Sequence, residues 1–210
     1  MIPKGSAKMS EIPTAKSSIE KELNSIPTFN TLNESSVFIS EKRFKDHINL
    51  RLDISDDGNV DALGNILGVE VPIEPNTVNI NGEVSVLWLG PDEWLILTTE
   101  CYPNSMLDRL SKGLIGKVAS IVDMSGGQTV INLDGPNSMN LLAKGCTLDL
   151  HPRVFGDGKC AQTIIAKTGV IIRKIDNSPS YDLIVRRSYA DYLVLWIKDA
   201  AREYGLSLAK

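Results

Sequence analysis

Histidine and cysteine are scarce in this chain, and their scarcity excludes several kinds of chemistry at once. His47 and His151 are the two histidines, and the three cysteines, Cys101, Cys146 and Cys160, stand far apart. A structural zinc site needs four close ligands, often supplied as Cys-x-x-Cys pairs, and the chain has no such pair. The cysteines read as buried thiols of a reducing compartment. No apolar run approaches the roughly 20 residues that cross a bilayer. The opening Met1-Ile2-Pro3-Lys4 lacks the apolar stretch of a secretory signal. A cytoplasmic protein without membrane contact is therefore expected. Strong positive charge is absent too: the net charge is −4, and Arg186-Arg187 is the densest basic pair. Duplex binding relies on clustered cations that release counterions, so nucleic acid is not an expected partner. The spacing Gly-x-Gly-x-x-Gly and a Walker-type Gly-Lys-Ser/Thr run are both missing, which removes the usual dinucleotide and phosphate fingerprints.

What is present is an ordinary globular composition, 42% hydrophobic and 23% charged, with enough length for a substantial core. Residues 1–35 are polar, carry isolated prolines and show no sustained apolar period, so they read as a flexible N-terminal arm, with Ser18 to Ile26 able to form a short helix. Residues 36–210 read as the folded domain. Alternation over His47 to Ile54 predicts a half-buried strand, and a short helix follows Asp56-Asp57-Gly58. Strands at 77–80 and 84–89 flank a hairpin turn at Asn81-Gly82. A strand at 94–98, a helix at 103–115 and an apolar strand at 118–123 complete a first half, 37–123. Strands at 129–133, 160–166, 169–174 and 181–185, with helices at 136–144 and 188–204, make a second half, 124–205. Both halves read strand, helix, strands, helix. The fold class is α+β, with a duplicated unit of that order.

Several boundaries have local causes. Pro136 suits the first position of its helix and Gly145 a left-handed stop. Ser188 is a natural N-cap, with Asp191 three residues on. Along the last helix Tyr189, Tyr192, Leu193, Trp196, Ala200 and Tyr204 share a face opposite Asp191, Lys198, Asp199 and Arg202. Leu195 falls on the polar side, exposed unless a partner covers it.

The candidate chemical groups read mostly as architecture. Cys146 and His151 are close enough in sequence to pair, but Cys146 follows a helix stop among apolar residues. Gly126-Gly127 and Gly135-Pro136 could hold an anion at strand or helix ends, yet read as turns. Asp92-Glu93 and Asp123 are the carboxylates best placed for acid–base work, and each sits where Asp closes a turn on its own backbone. No catalytic, cofactor-binding or metal-binding residue is assigned. The candidate partner contacts are Trp88 and Trp94, on strands apolar on both faces, Arg186 and Arg187, set against the dipole of the helix that follows, and Leu195.

Taken in order, Leu89-Gly90-Pro91-Asp92-Glu93-Trp94-Leu95, Val122-Asp123-Met124-Ser125 and the run from Gly135 to Leu150 resemble the gamma subunit of heterotetrameric sarcosine oxidase. Phe155 to Lys167, Arg187-Ser188-Tyr189-Ala190 and Asp199-Ala200-Ala201-Arg202-Glu203 extend the resemblance over roughly residues 37 to 205. Gly126-Gly127 departs from it, because the family commonly has a basic or polar residue there. The resemblance implies a non-catalytic subunit with a fold like the folate-binding T-protein of the glycine cleavage system. It implies alpha, beta and delta subunits as partners, with FAD, FMN, NAD, tetrahydrofolate and zinc held on those subunits. The complex would demethylate sarcosine to glycine, giving hydrogen peroxide and methylene-tetrahydrofolate. Two alternatives stand beside it: the equivalent subunit of an N-methylglutamate dehydrogenase-type complex, and a stand-alone folate-dependent aminomethyltransferase acting through an Asp such as Asp123.

Overall fold

The computed structural model describes residues 16–28, 35–55, 57–99, 105–174 and 176–209. In chain order the elements are helix α1 (Glu20–Asn24), strands β1 (Val37–Lys42) and β2 (Asp46–Leu52), helix α2 (Asp57–Leu67), strands β3 (Val78–Asn81), β4 (Val84–Gly90) and β5 (Glu93–Thr98), and helix α3 (Met106–Gly113). There follow β6 (Ala119–Asp123), β7 (Gln128–Asp134), helix α4 (Ser138–Ala143), strands β8 (Cys160–Ile165), β9 (Thr168–Lys174) and β10 (Tyr181–Arg186), helix α5 (Arg187–Ala200) and β11 (Leu206–Leu208).

The strands form two sheets, one ordered β11-β1-β7-β10-β9-β8 and one ordered β3-β4-β5-β2-β6. Neighbours pair antiparallel, except that β11 joins β1 in parallel. Because side chains alternate along a strand, each sheet offers two faces, and here both are apolar. In the five-stranded sheet Trp94 and Ile96 face Leu63 and Leu67 of α2 and Met106 and Leu110 of α3. Their neighbours Leu95 and Leu97 face the other sheet, where they meet Val130, Cys160 and Ile184. On the far side of the six-stranded sheet Ile131, Leu133, Leu183 and Val185 pack on Leu141 and Leu142 of α4 and on Leu193, Val194 and Ile197 of α5. The result is four layers: helices, sheet, sheet, helices. The tryptophan strands, apolar on both faces, are covered by helices on one face and by the other sheet on the second.

The hairpin between β3 and β4 forms as expected, one residue later than its Asn-Gly signal. Asn81 pairs with Val84, and Gly82, with φ +56°, leads the two-residue loop. Asn81 Nδ2 reaches back to the Gly68 carbonyl at 2.7 Å, tying the hairpin to the end of α2.

Several expectations need correction. Residues 16–28 are not a free arm. Ile19, Leu23 and Ile26 are buried in the core beneath the six-stranded sheet. Their spacing places all three on one side of the α1 turn, which lets so polar a segment dock. Lys198 Nζ donates to Ser25 Oγ at 2.8 Å, and the Leu208 N–H donates to the Pro27 carbonyl at 2.9 Å. Residues 1–15 and 29–34 of the expected arm lie outside the described residues.

Helix α4 begins at Ser138 rather than at Pro136, with Asn137 in the cap position. Gly145 does not adopt the left-handed backbone; a Cβ there would collide with the Trp196 ring, so its role is close packing. The position that does need glycine is Gly135, at φ +107°, where a Cβ would stand 2.5 Å from the Ser36 carbonyl oxygen.

Helix α5 grows straight out of β10, so Arg186, not Ser188, occupies its cap, without a side-chain hydrogen bond. That earlier start fixes the rotation of the helix: Ala190, Leu193, Val194 and Ile197 point inward, while Tyr189 and Tyr192 are exposed. Strand β6 also differs from expectation. It is a largely exposed edge strand, with its lead-in residue Val118 83% exposed.

If the N-terminal segment is part of the core, truncating Leu23 must be felt globally. Leu23→Ala is expected to lower unfolding stability by about 2–4 kcal/mol, read by urea denaturation. A change near zero would mean the segment contributes nothing to the folded unit.

Candidate partner interface and buried polar centre

The most deeply placed polar groups lie between the sheets. Asp182 interrupts the apolar strand Tyr181-Asp182-Leu183-Ile184-Val185, and it is fully buried. Its cross-strand partners are Asn132 on one side and Arg173 on the other. The register therefore lines up Asn132, Asp182 and Arg173 across three neighbouring strands. Arg173 Nε and Nη2 both donate to Asp182 Oδ2, at 2.9 and 2.7 Å. Lys42 Nζ donates to the same oxygen at 2.8 Å, and Asn132 Nδ2 to Oδ1 at 3.0 Å. Asn132 Nδ2 also lies 3.1 Å from Ser180 Oγ. A carboxylate so enclosed by donors has no free lone pair to offer a reactant; it holds β1, β7, β10 and β9 in register. None of these residues stood out in the sequence, although a lone Asp inside an apolar strand is the signal that finds the centre.

His47 is a second buried group that the sequence reading passed over. Its Nδ1 lies 2.9 Å from Gln128 Oε1, and its backbone N–H donates to Ser125 Oγ at 3.0 Å. Burial pushes its pKa below the usual value, with Arg173 adding to the effect and Gln128 and Asp123 opposing it.

Of the carboxylates proposed for acid–base work, Asp123 is committed to a turn and Glu93 to cross-strand partners. Ser125 donates to Asp123 Oδ1 from its backbone N–H at 2.9 Å and from Oγ at 2.6 Å, which holds that carboxyl below its ordinary range. Glu93 accepts from Asn49 Nδ2 at 2.8 Å and from Arg51 Nη2 at 2.7 Å. Asp92 is exposed, and its carbonyl receives the Leu52 N–H.

The thiols do not pair with a histidine. Cys146 Sγ lies 3.8 Å from Thr163 Oγ1, whereas His151 is exposed and its Nδ1 accepts the Arg153 N–H at 3.3 Å. Cys160 is buried between the sheets, and burial pushes its thiol up to about 12, far from thiolate formation at neutral pH. Cys101 lies outside the described residues. Gly126-Gly127 forms a turn closed by the Gly127 N–H on the Met124 carbonyl at 2.9 Å. Among the described residues no three metal-ligating side chains gather, and no helix is long and apolar enough to cross a membrane.

The candidate partner contacts divide. Trp94 is completely buried, with Nε1 donating to the Pro72 carbonyl at 2.8 Å, so it belongs to the chain's own core and drops out of the set. Trp88, its cross-strand neighbour, is half-buried against the same core. Arg187 turns inward to the N-terminal segment, donating from Nη2 to the Lys16 carbonyl at 2.8 Å. Arg186 and Leu195 remain outside. Arg186 and its cross-strand partner Gln128 line an open groove of about 610 Å³ on the inner face of the six-stranded sheet.

Polar groups engaged in packing, with Arg186 and Leu195 left outside, define a four-layered two-sheet α+β protein suited to being packed against. The chain belongs to the sarcosine oxidase gamma subunit family, whose model matches residues 51–203. It is 33% identical to the sarcosine oxidase subunit gamma of Corynebacterium sp. (strain U-96) over 175 residues, 82% of each chain. It is 32% identical to the corresponding subunit of Arthrobacter sp over 145 residues, 69% of this chain and 70% of that one. In three dimensions it is similar to a chain of heterotetrameric sarcosine oxidase from Corynebacterium sp. U-96, with a TM-score of 0.81, 29% identity, and 93% of this chain and 98% of that chain covered. The glycine cleavage system aminomethyltransferase T of Bartonella henselae shares the fold at 11% identity and a TM-score of 0.63, over 88% of this chain and 53% of that one.

Two measurements test the polar groups. Asp182→Ala leaves Lys42 and the buried Arg173 without their shared counter-charge and is expected to cost about 3–5 kcal/mol in urea unfolding. For His47 the folded pKa is depressed, so the unfolded chain takes up the proton first. Stability should fall as pH drops below about 6.5, by at most about 1.4 kcal/mol per pH unit, until the lower folded value is passed. His47→Gln should remove that slope, whatever it does to the absolute stability.

Proposed function

We infer that the chain serves as the gamma subunit of a heterotetrameric sarcosine oxidase, taking part in the oxidation as a member of that assembly. The observation that carries this reading is the likeness, over nearly the whole of both chains, to a chain of the heterotetrameric enzyme. The alpha, beta and delta subunits are its partners, and the reaction is oxidative demethylation of sarcosine to glycine, with hydrogen peroxide and methylene-tetrahydrofolate as further products. FAD, FMN, NAD, tetrahydrofolate and zinc belong to the other subunits in this reading, and no step is asked of a side chain here. A cytoplasmic place in one-carbon metabolism goes with it.

The domain reading is a folate-binding-type unit used twice. Its support is topological: one sheet runs β3-β4-β5-β2-β6, and the other runs β8-β9-β10-β7 before β1 and then β11. Counting elements from β2 and from β7, the two orders correspond, with β1 inserted before the last strand. A stand-alone aminomethyltransferase acting through Asp123 gains no support from a carboxylate already held by Ser125.

Co-expression of the tagged chain with the alpha, beta and delta subunits of its own organism tests the reading. Capture should bring down all four polypeptides with sarcosine-dependent peroxide formation, seen by native mass spectrometry and a peroxidase-coupled assay. A chain that stays alone, beside an active complex assembled without it, would sink the assignment.

A further inference from the structure

The inner face of the six-stranded sheet is only partly covered. Val130, Cys160 and Ile184 meet the other sheet, and beyond them the face opens into the groove that Gln128 and Arg186 line. Lys167, in the turn between β8 and β9, lines it as well, and among the described residues no carboxylate does. In a chain of net charge −4 that local balance is unusual. Neither Lys167 nor Arg186 has an ion pair among the described residues.

One further feature sharpens the imbalance. Arg186 immediately precedes α5, whose N-terminus carries partial positive charge, and that helix has no side-chain cap and no acid in its first turn. Arg186 therefore stands against its own helix dipole with nothing to offset it.

The groove also carries apolar surface that a lone chain gains nothing by showing. Ile164 is 56% exposed and Tyr189 49% exposed. From Tyr189 the strip continues at three-residue spacing along α5 through Tyr192 and Leu195, which is 51% exposed.

We propose that this groove seats a segment of another subunit of the oxidase complex, one that carries an apolar anchor beside a carboxylate. The anchor rests on Ile164 and Tyr189. The carboxylate meets Arg186, whose planar fork suits a two-oxygen acceptor, with Lys167 adding to the field. The charge complementarity selects an acidic occupant, and the exposed ring and branched side chain select an apolar one beside it. The proposal rests on the reading of the chain as a subunit.

The test uses the assembled complex. Hydrogen–deuterium exchange of the wild-type chain, alone and in the complex, should show new protection over 162–169 and 186–192. The variants Arg186→Gln and Lys167→Glu/Arg186→Glu, first checked for a wild-type circular dichroism spectrum and melting curve, should bind the remaining subunits at least about tenfold more weakly than wild type. The loss from Arg186→Gln should shrink as salt rises. Wild-type assembly without new protection of these segments overturns the proposal and leaves the subunit reading intact. So does unchanged affinity of a folded Arg186→Gln. Self-association of the lone chain through these segments overturns the choice of occupant. Failure of the wild-type chain to assemble at all removes the reading on which the proposal rests.

Discussion

Two sheets with apolar residues on both faces must each be covered twice, and in this chain each covers the other. Leu95 and Leu97 on one side and Val130, Ile184 and Cys160 on the other form the shared layer. Each sheet then needs helices only on its outer face, and α2 with α3, and α4 and α5 with α1, supply them. The β7–β10 pairing at the middle of the larger sheet serves two layers at once. Ile131 and Leu183 look to the helices, and Val130 and Ile184 look to the other sheet. A slip of one residue would exchange the two sets and spoil both layers.

The buried polar centre follows from the same stacking. Asp182 alternates with Ile184 on the inner face, so its carboxylate is carried out of water and has to find donors there. Arg173 and Asn132 reach it because they occupy the paired positions on the neighbouring strands, and Lys42 comes from β1 beyond. Removing such a charge from water costs several kcal/mol before any attraction is counted, so the cluster works chiefly as a register lock. Asp182, Arg173, His47, Asp123 and Glu93 are each engaged in holding strands and turns together. Along the groove and α5, Ile164, Tyr189, Leu195 and Arg186 stay outside, an apolar strip beside a cation of the kind a partner covers.

Much of the fold was legible from pattern alone. Strand positions, the hairpin after β3 and the two-sided burial of the tryptophan strands follow from side-chain alternation and turn chemistry, which are local. The boundaries that failed were decided elsewhere. Ser188 has the chemistry of a cap, but α5 starts at Arg187 because β10 runs into it without a linker. Gly145 looks like a helix stop, yet its small size serves the Trp196 ring, a contact between residues about fifty positions apart. The docking of Ile19, Leu23 and Ile26 was hidden because three apolar residues in a polar segment give too weak a period to outweigh its composition. Of the candidate contact residues, Arg186 and Leu195 stay outside, while Trp94 is spent on the core. Ile164 and Lys167 had no local signal, because the groove exists only once β8 and β9 are paired beside β10.

By itself the sequence determined the element types, the α+β class, the family and the absence of the usual nucleotide and zinc fingerprints, because these depend on neighbouring residues and on ordered motifs. Tertiary structure alone decided which polar residues meet at Asp182, which tryptophan faces inward, how α5 is rotated and where the open groove lies. Those outcomes depend on strand register and sheet stacking, which bring together residues that the chain keeps far apart.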